Sequence, residues 1–164
     1  MTQTSDGMNY APKGQAEPVV GPGEFPFAAI ALDHGHINGM CNGLTESGAE
    51  LRWVYDPNPE KVEALLAKYP NAKAARSEDE ILEDEAIKLV AGAAIPSERC
   101  PLGMRVMDHG KDYFTDKAPM TTLEQLEQAR AKVVETDLKY YVYYSERLHV
   151  ESATGDSWDM DRPM

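Results

Sequence analysis

The sequence predicts an α/β domain in which a doubly wound parallel sheet lies between two layers of helices, a three-layer α/β/α arrangement. Short apolar or β-rich runs alternate along the chain with stretches whose apolar residues recur at helical spacing. The connections between them are short, so each helix must cross the sheet and return the chain to a parallel strand. In such sheets ligands bind beyond the carboxyl ends of the strands, where the strand order reverses.

The chain begins with a segment that we expect to be flexible. Residues 1–24 are rich in proline and glycine and contain few apolar residues, so burial cannot offset the entropy lost on ordering. The first strand follows at residues 27–32, a continuous apolar run typical of a strand covered on both faces. A helix carrying Ile37, Met40, Cys41 and Leu44 comes next and ends at Ser47.

The same alternation continues to residue 144. Pro59, at the start of the second helix, and Ser77, three residues before Glu80, are helix-start signals. Ser97 and Thr122 are predicted to cap two longer helices. The five further strands are predicted at residues 50–55, 73–76, 88–95, 112–115 and 139–144. We therefore expect an arm at 1–24, one domain at 25–150 and a loose polar tail at 151–164.

Charge and hydropathy exclude several classes of partner. The chain has 164 residues, with 16 Lys and Arg against 28 Asp and Glu, a formal net charge of −12. Such a chain lacks the basic patches that bind nucleic acid or anionic membranes. It also shows neither a membrane-spanning apolar run nor a signal peptide, so a cytoplasmic location is expected.

Candidate binding residues follow the first two predicted strands. Gly35, Gly39 and Gly43 recur every four residues and are predicted to form a row that lets the helix pack closely on the sheet. The amide groups at the start of this helix would then face a phosphate. Asp56 ends the second strand, where a carboxylate can accept both hydroxyls of an adenosine ribose. Simple helix packing and helix capping are the alternative interpretations of these residues.

Four segments carry a resemblance to a known family. They are Ala-Leu-Asp-His-Gly-His-Ile at 31–37, Val-Tyr-Asp-Pro at 54–57, Ala-Ile-Pro-Ser at 94–97, and Gly-Lys-Asp-Tyr-Phe-Thr-Asp-Lys-Ala-Pro at 110–119. From about residue 27 to residue 150 the chain resembles the N-terminal nucleotide-binding domain of the Gfo/Idh/MocA oxidoreductases. The last segment is similar to the family's Gly-Lys and Glu-Lys-Pro signature and is the most specific of the four.

This resemblance implies a Rossmann domain that binds NAD or NADP and serves the reversible oxidation of a sugar or polyol hydroxyl. Lys117 matches the family's lysine beside the nicotinamide and the reacting oxygen, so it is the predicted catalytic residue. NAD is expected rather than NADP, because the Asp56 carboxylate would repel a 2′-phosphate and no arginine directly follows it. The predicted cofactor-binding residues are Asp33, His34, Gly35, His36, Ile37, Asp56, Ile95, Pro96 and Lys117.

The chain departs from the family pattern at several positions. Asp33 and Asn38 stand where the glycine fingerprint has its first and third glycines. Asp33 is an anion near the expected diphosphate, and it weakens binding unless His34, His36 or backbone amides offset its charge. Asp116 replaces the signature glutamate, and Pro119 is displaced by one residue.

The family's second, substrate-binding domain has no counterpart after residue 150, which raises a competing hypothesis. The chain would then be a non-catalytic binding or interaction protein, or a fragment that needs a second polypeptide. The same absence would expose an apolar flank that includes the strand from Tyr140 to Tyr144 and favour self-association as a homo-oligomer. A metal site formed by Asp33, His34, His36 and Asp56 is the weaker alternative for the loop, and no metal is predicted.

Overall fold

The computed structural model of the protein describes residues 17–145. Six strands form one sheet in the order β3-β2-β1-β4-β5-β6, and every neighbouring pair is parallel. The strands are β1 (Pro26–Ile30), β2 (Glu50–Tyr55), β3 (Lys73–Ala74), β4 (Leu89–Gly92), β5 (Asp112–Asp116) and β6 (Tyr140–Tyr143). The doubly wound parallel sheet that the sequence predicts is confirmed.

Five helices connect these strands. They are α1 (His36–Glu46), α2 (Pro59–Leu66), α3 (Glu78–Leu82), α4 (Pro96–Asp108) and α5 (Leu123–Thr136). Asn58, Ser77 and Thr122 each accept a backbone N–H from the first turn of the helix that follows. These three bonds satisfy amide groups that a helix start otherwise leaves without partners. Ser97 is not a cap, because α4 begins one residue earlier at Pro96.

The core has two parts, one on each face of the sheet. Phe27 and Ala29 of β1 belong to the part that contains Ile37 and Met40 of α1, together with residues of α2. Ala28 and Ile30 belong to the other part, with residues of α3 and α4. Because side chains alternate along a strand, β1 is buried on both faces, as its continuous apolar sequence requires.

One helix contains an internal proline whose effect is offset by a side chain from its neighbour. Pro101 lies within α4 and has no N–H to donate to the carbonyl of Ser97, four residues earlier. The amide nitrogen of Gln125, in α5, donates to that carbonyl at 3.2 Å. The contact also fixes α5 against the start of α4, close to the carboxyl end of β4.

Several other predictions fall on the edges of the described region. Residues 1–16 and 146–164 lie outside it, so the arm and tail boundaries stay predictions. Within the arm, Val19 donates its N–H to the carbonyl of Ser47 at 2.9 Å.

No helix of the described residues is long and apolar enough to span a membrane. Self-association also stays a prediction, although β6 lies at an edge of the sheet and Tyr141 on it is half exposed.

Candidate functional site

The site predicted from the sequence lies where the strand order reverses, between β1 and β4. Both strands neighbour each other at the centre of the sheet, and their connections run in opposite directions along it. Beyond their carboxyl ends, the N–H of His34 donates to the carbonyl of Ala93 at 3.0 Å. The N–H of Ala93 in turn donates to the carbonyl of Ala31 at 3.0 Å. Backbone hydrogen bonds therefore join the segments that follow β1 and β4, at the position where such sheets bind ligands.

The start of α1 follows the first of these segments. Gly35 is the N-cap residue, and it has no side chain that could cap the first turn. A Cβ built on Gly35 would meet no atom within 4 Å, so the space beside the first turn is open. The N–H of His36 donates to Nδ1 of His34 at 3.2 Å. The N–H groups of Ile37 and Asn38 donate to the carbonyls of His34 and Gly35, at 3.2 Å each, so an anion that approaches this turn has to compete with these contacts for its amide groups.

The interpretation of the glycine row as a packing device is wrong for two of its three members. Only Gly39 is in close contact, because a Cβ there would lie 2.7 Å from the hydroxyl oxygen of Tyr143. A Cβ on Gly43, like one on Gly35, would meet nothing within 4 Å. The buried residues Ile37, Met40 and Cys41 lie on the other side of α1, which is the side that faces the sheet.

Asp56 holds together the loops around the site. Its two carboxylate oxygens accept N–H groups from Leu32 at 2.7 Å and from Asn58 at 2.8 Å. The residue is 7% exposed, at the boundary between the core and the cleft. Each carboxylate oxygen has a second lone pair, so Asp56 can fix both loops and still accept a hydrogen bond from a ligand.

A lysine that the sequence did not single out lies between two of the candidate acids. The ammonium of Lys61, on α2, is 2.6 Å from Oδ1 of Asp33 and 3.6 Å from Oδ2 of Asp56. The hydrogen bond to Asp33 is the largest of the effects that raise the pKa of Lys61. Lys61, rather than either histidine, is thus the charge that offsets Asp33 in this structure.

These residues line a cavity of about 500 Å³ at the carboxyl ends of β1, β2 and β4. Its wall includes Asp33, Asp56, Lys61, Glu98 and Arg105. A second cavity of about 510 Å³ lies at the opposite, amino-terminal edge of β2 and β3. We assign the ligand site to the first cavity, because parallel sheets bind ligands at the carboxyl ends of their strands.

The other side of the site contains a buried charge network around Asp116, the last residue of β5. Its Oδ1 is 2.8 Å from Nδ1 of His36 and accepts the N–H of Lys117 at 2.7 Å. Its Oδ2 accepts from Arg99 at 3.1 Å. Arg99 could not be predicted from the sequence, because arginine is ordinarily exposed and no local pattern marks this one as buried.

Arg99 also holds the segment that contains the predicted catalytic lysine. Its guanidinium donates to the carbonyls of Ala94, at 2.7 Å, and Ala118, at 3.1 Å, and to that of Lys117. The turn after β4 and the segment after β5 are therefore joined by one planar group. Lys117 itself is half-buried.

His34, His36 and Asp116 also offer ligand atoms within 4.8 Å of one another, a set that a divalent cation could use. In this structure the carboxylate of that set is paired with Arg99, a cation that would repel a metal ion. Asp33 and Asp56, the acids of the metal alternative drawn from the sequence, are near Lys61 instead. The network is explained by charge pairing among the protein's own groups.

The remaining predicted residues differ in what they can present to a ligand. Ile95 is 53% exposed at the N-cap of α4, and Pro96 follows it as the first helical residue. Ile37 is 3% exposed and lies in the core, so only its main chain can face the site. Gly35, His36 and Asp33 lie at or just before the start of α1, whereas Asp56 follows β2 and Lys61 lies on α2. The structure thus brings the predicted residues to one edge of the sheet, but Ile37 does not present its side chain there.

Comparison with known proteins gives a family-level match. A family model described as "Oxidoreductase family, NAD-binding Rossmann fold", that of Gfo/Idh/MocA, matches residues 19–144. No curated protein matches the chain. Among solved structures, a protein of Erwinia carotovora atroseptica SCRI1043 that is classed as an oxidoreductase is 41% identical, with a TM-score of 0.75. That match covers 81% of this chain and 40% of the other.

Two more distant structures share the fold. The myo-inositol dehydrogenase of Lactobacillus casei, solved with NAD(H) and myo-inositol, is 23% identical with a TM-score of 0.65, covering 75% of this chain and 37% of that one. The WlbA dehydrogenase of Bordetella pertussis, solved with NADH and UDP-GlcNAcA, is 19% identical with a TM-score of 0.67, covering 78% and 37%. The chain spans about 40% or less of the length of these structures.

Proposed function

Since this chain belongs to the Gfo/Idh/MocA oxidoreductase family and contains its NAD-binding Rossmann domain, we propose that it binds NAD across the carboxyl ends of β1 and β4 for a hydride-transfer reaction. The observation that carries the proposal is the open first turn of α1. Gly35 leaves space for a diphosphate to approach the amide groups of that turn. The cavity that contains Asp56 has room for the adenosine, and its lining includes Asp33, two residues before Gly35.

In this proposal each loop has a separate task. Asp56 accepts hydrogen bonds from the ribose hydroxyls, while its contacts with Leu32 and Asn58 hold the loops after β1 and β2 together. His34 and His36 lie beside the diphosphate, and Ile95 and Pro96 lie under the nicotinamide half. NAD is proposed rather than NADP, because Asp56 would repel a 2′-phosphate.

Lys117 is the proposed catalytic residue. The bound nicotinamide would supply the hydride acceptor, and an ammonium beside the reacting carbon stabilises charge that develops on the substrate oxygen. Arg99 and Asp116 fix the backbone of Lys117 on both of its sides. Such fixed backbone geometry lets a side chain act without reorganising during the reaction.

We propose a sugar or polyol as the substrate. Support comes from the family and from two solved relatives with sugar-related ligands, a myo-inositol dehydrogenase with its polyol and WlbA with UDP-GlcNAcA. The described domain alone offers few groups that could hold such a substrate at reacting distance, so the competing hypothesis of a binding protein predicts cofactor binding without turnover.

Cofactor binding can be tested with a matched pair of variants. The full chain is prepared in three forms: unmodified, Gly35→Leu and Gly43→Leu. NADH is titrated into each, and binding is followed by the fluorescence of NADH. Both glycines have open space beside them, but only Gly35 faces the proposed diphosphate. Gly35→Leu should weaken binding by about tenfold or more, since it displaces the diphosphate from the amide groups, whereas Gly43→Leu should leave binding unchanged. No binding at millimolar NADH, or equal losses in both variants, would contradict the proposal.

Turnover separates the enzyme from the binding protein. The full chain is assayed with NAD and a panel of polyols and sugars, alone and as Lys117→Ala. Activity that falls by about a hundredfold or more in Lys117→Ala, with NADH binding retained, supports the catalytic role. Binding with no turnover on any substrate supports the competing hypothesis.

A further inference from the structure

Asp33 is the one fingerprint position whose charge opposes the proposed function. It stands where the family pattern has a glycine, and its carboxylate lies at the edge of the cavity that would receive adenosine. An anion at that position is unfavourable for a phosphate-containing ligand. The structure shows that its partner is Lys61 of α2, reached across the cleft at 2.6 Å.

Lys61 also lies close to the proposed ribose-binding acid. Its ammonium is 3.6 Å from Asp56, whose two oxygens accept the N–H groups of Leu32 and Asn58. Its side chain is about one-third exposed at 34%, so it can contact both the protein and a ligand in the cleft. Lys61 is therefore a cation within reach of a phosphate placed on the 2′-oxygen of a ribose held by Asp56.

A second cation lines the same cavity and is paired with an acidic residue of that lining. Arg105 makes a hydrogen bond of 2.7 Å to Glu78. The other charged groups in the lining are acidic: Asp33, Asp56, Glu78 and Glu98. Four acidic groups thus face two cations, and how Lys61 is shared between Asp33 and Asp56 decides the charge that a 2′-phosphate meets.

We propose that Asp33 is a cofactor-specificity residue: it holds Lys61 in an ion pair and so withholds from the ribose pocket the cation that would accept a 2′-phosphate. This inference rests on the proposed function and extends it. It gives the departure from the glycine fingerprint a role, because a glycine at this position would leave Lys61 facing Asp56 and the ligand. With Asp33 present, a 2′-phosphate meets two carboxylates and an ammonium that is already paired.

The inference predicts a gain of function. Dissociation constants for NADH and NADPH are measured by fluorescence titration for the unmodified chain, Asp33→Asn, Lys61→Met and the double variant. The unmodified chain should prefer NADH. Asp33→Asn is nearly isosteric and removes the charge that holds Lys61, so the preference for NADH over NADPH should fall by about tenfold. Adding Lys61→Met to Asp33→Asn should restore the preference, because the cation is then absent.

The matched control is an ion pair of similar geometry far from the cleft. Lys132 lies 2.8 Å from Asp108, on α5 and α4, and neither residue lines the cavity. Asp108→Asn should leave the ratio of the two dissociation constants unchanged. Unfolding midpoints of all variants check that the fold is retained.

The outcomes distinguish this inference from the proposed function. If NADH does not bind the unmodified chain, the proposed function is wrong and the inference falls with it. If NADH binds but Asp33→Asn leaves the ratio unchanged, the inference alone is wrong. The same holds if the double variant keeps the gain in NADPH binding, since the gain would then not depend on Lys61.

Discussion

Arg99 and Asp116 form an ion pair of 3.1 Å in which the two side chains are only 4% and 1% exposed. The pair joins the first turn of α4 to the end of β5, the two elements that flank the proposed nicotinamide site. A buried ion pair contributes little net stability, but losing one partner leaves the other charge without compensation. The family signature has a glutamate where this chain has Asp116, and the shorter side chain is reached by Arg99.

Replacing Arg99 should therefore strongly destabilise the domain. In Arg99→Met, Asp116 loses its cation, and the carbonyls of Ala94, Lys117 and Ala118 lose a donor. We expect the free energy of unfolding, measured with urea, to fall by about 3–5 kcal/mol. Arg130→Met is the control, because Arg130 pairs with Glu127 on an exposed helix surface and should cost less than about 1 kcal/mol. Similar losses of unfolding free energy in both variants would show that the buried pair contributes no more to stability than the exposed one.

The order of the elements could be predicted because it depends on local patterns. The apolar runs at 27–32 and 88–95 and the capping residues Asn58 and Ser77 each act within a few residues of the chain. The contacts of Lys61 with Asp33 and of Arg99 with Asp116 join residues 28 and 17 positions apart, and no periodicity says which cation meets which acid. The prediction that the glycine row packs against the sheet failed for a different reason. Ile37, Met40 and Cys41 already mark the sheet-facing side of α1, and helical spacing puts the glycines on the other side.

The glycines of α1 should therefore respond differently to alanine. Gly43→Ala adds a methyl group in open space and should raise the free energy of unfolding by about 0.5–1 kcal/mol through helix propensity. Gly39→Ala gains the same propensity, but its Cβ would lie 2.7 Å from the Tyr143 hydroxyl and must displace that ring. The ring has little freedom to move, since it packs edge-on against His36 and Phe114. We expect Gly39→Ala to be less stable than Gly43→Ala by about 1–2 kcal/mol in urea unfolding. Equal effects would mean that Tyr143 moves at no cost.

The contact between Gln125 and Ser97 should matter only while Pro101 is present. Gln125→Glu keeps an acceptor for the N–H of Thr121 and removes the donor to the Ser97 carbonyl. We expect it to cost about 0.5–1.5 kcal/mol, the net contribution of one hydrogen bond, because water replaces the donor at this exposed carbonyl. Pro101→Ala restores the helical N–H, so the cost of Gln125→Glu should be smaller in that background. A double-mutant cycle on urea unfolding measures the difference, and a coupling energy near zero would contradict the account.

Lys111 gives the domain a pH dependence whose direction follows from its burial. It is 3% exposed and donates to the carbonyls of Asp84 at 2.8 Å and Ile87 at 3.3 Å. Burial lowers its pKa below the ordinary 10.5, outweighing the opposite influence of the Asp84 and Glu85 carboxylates. The unfolded chain therefore binds more protons than the folded one at pH values between the folded-state pKa and 10.5, and stability rises with pH across that window.

Lys111→Met should remove this rise. The free energy of unfolding of the unmodified chain, relative to Lys111→Met, should increase as the pH rises from the folded-state pKa of Lys111 toward 10. Measurements stop at pH 10 because the raised pKa values of Tyr113 and Tyr140 make stability fall above that range. Lys132→Met is the control, since the hydrogen bond to Asp108 raises the pKa of Lys132 and its contribution is lost only above 10.5. Relative to Lys132→Met, the free energy of unfolding of the unmodified chain should not change with pH over this range. The same result relative to Lys111→Met would contradict the prediction, because it would show that the two carbonyls stabilise the buried ammonium as well as water does.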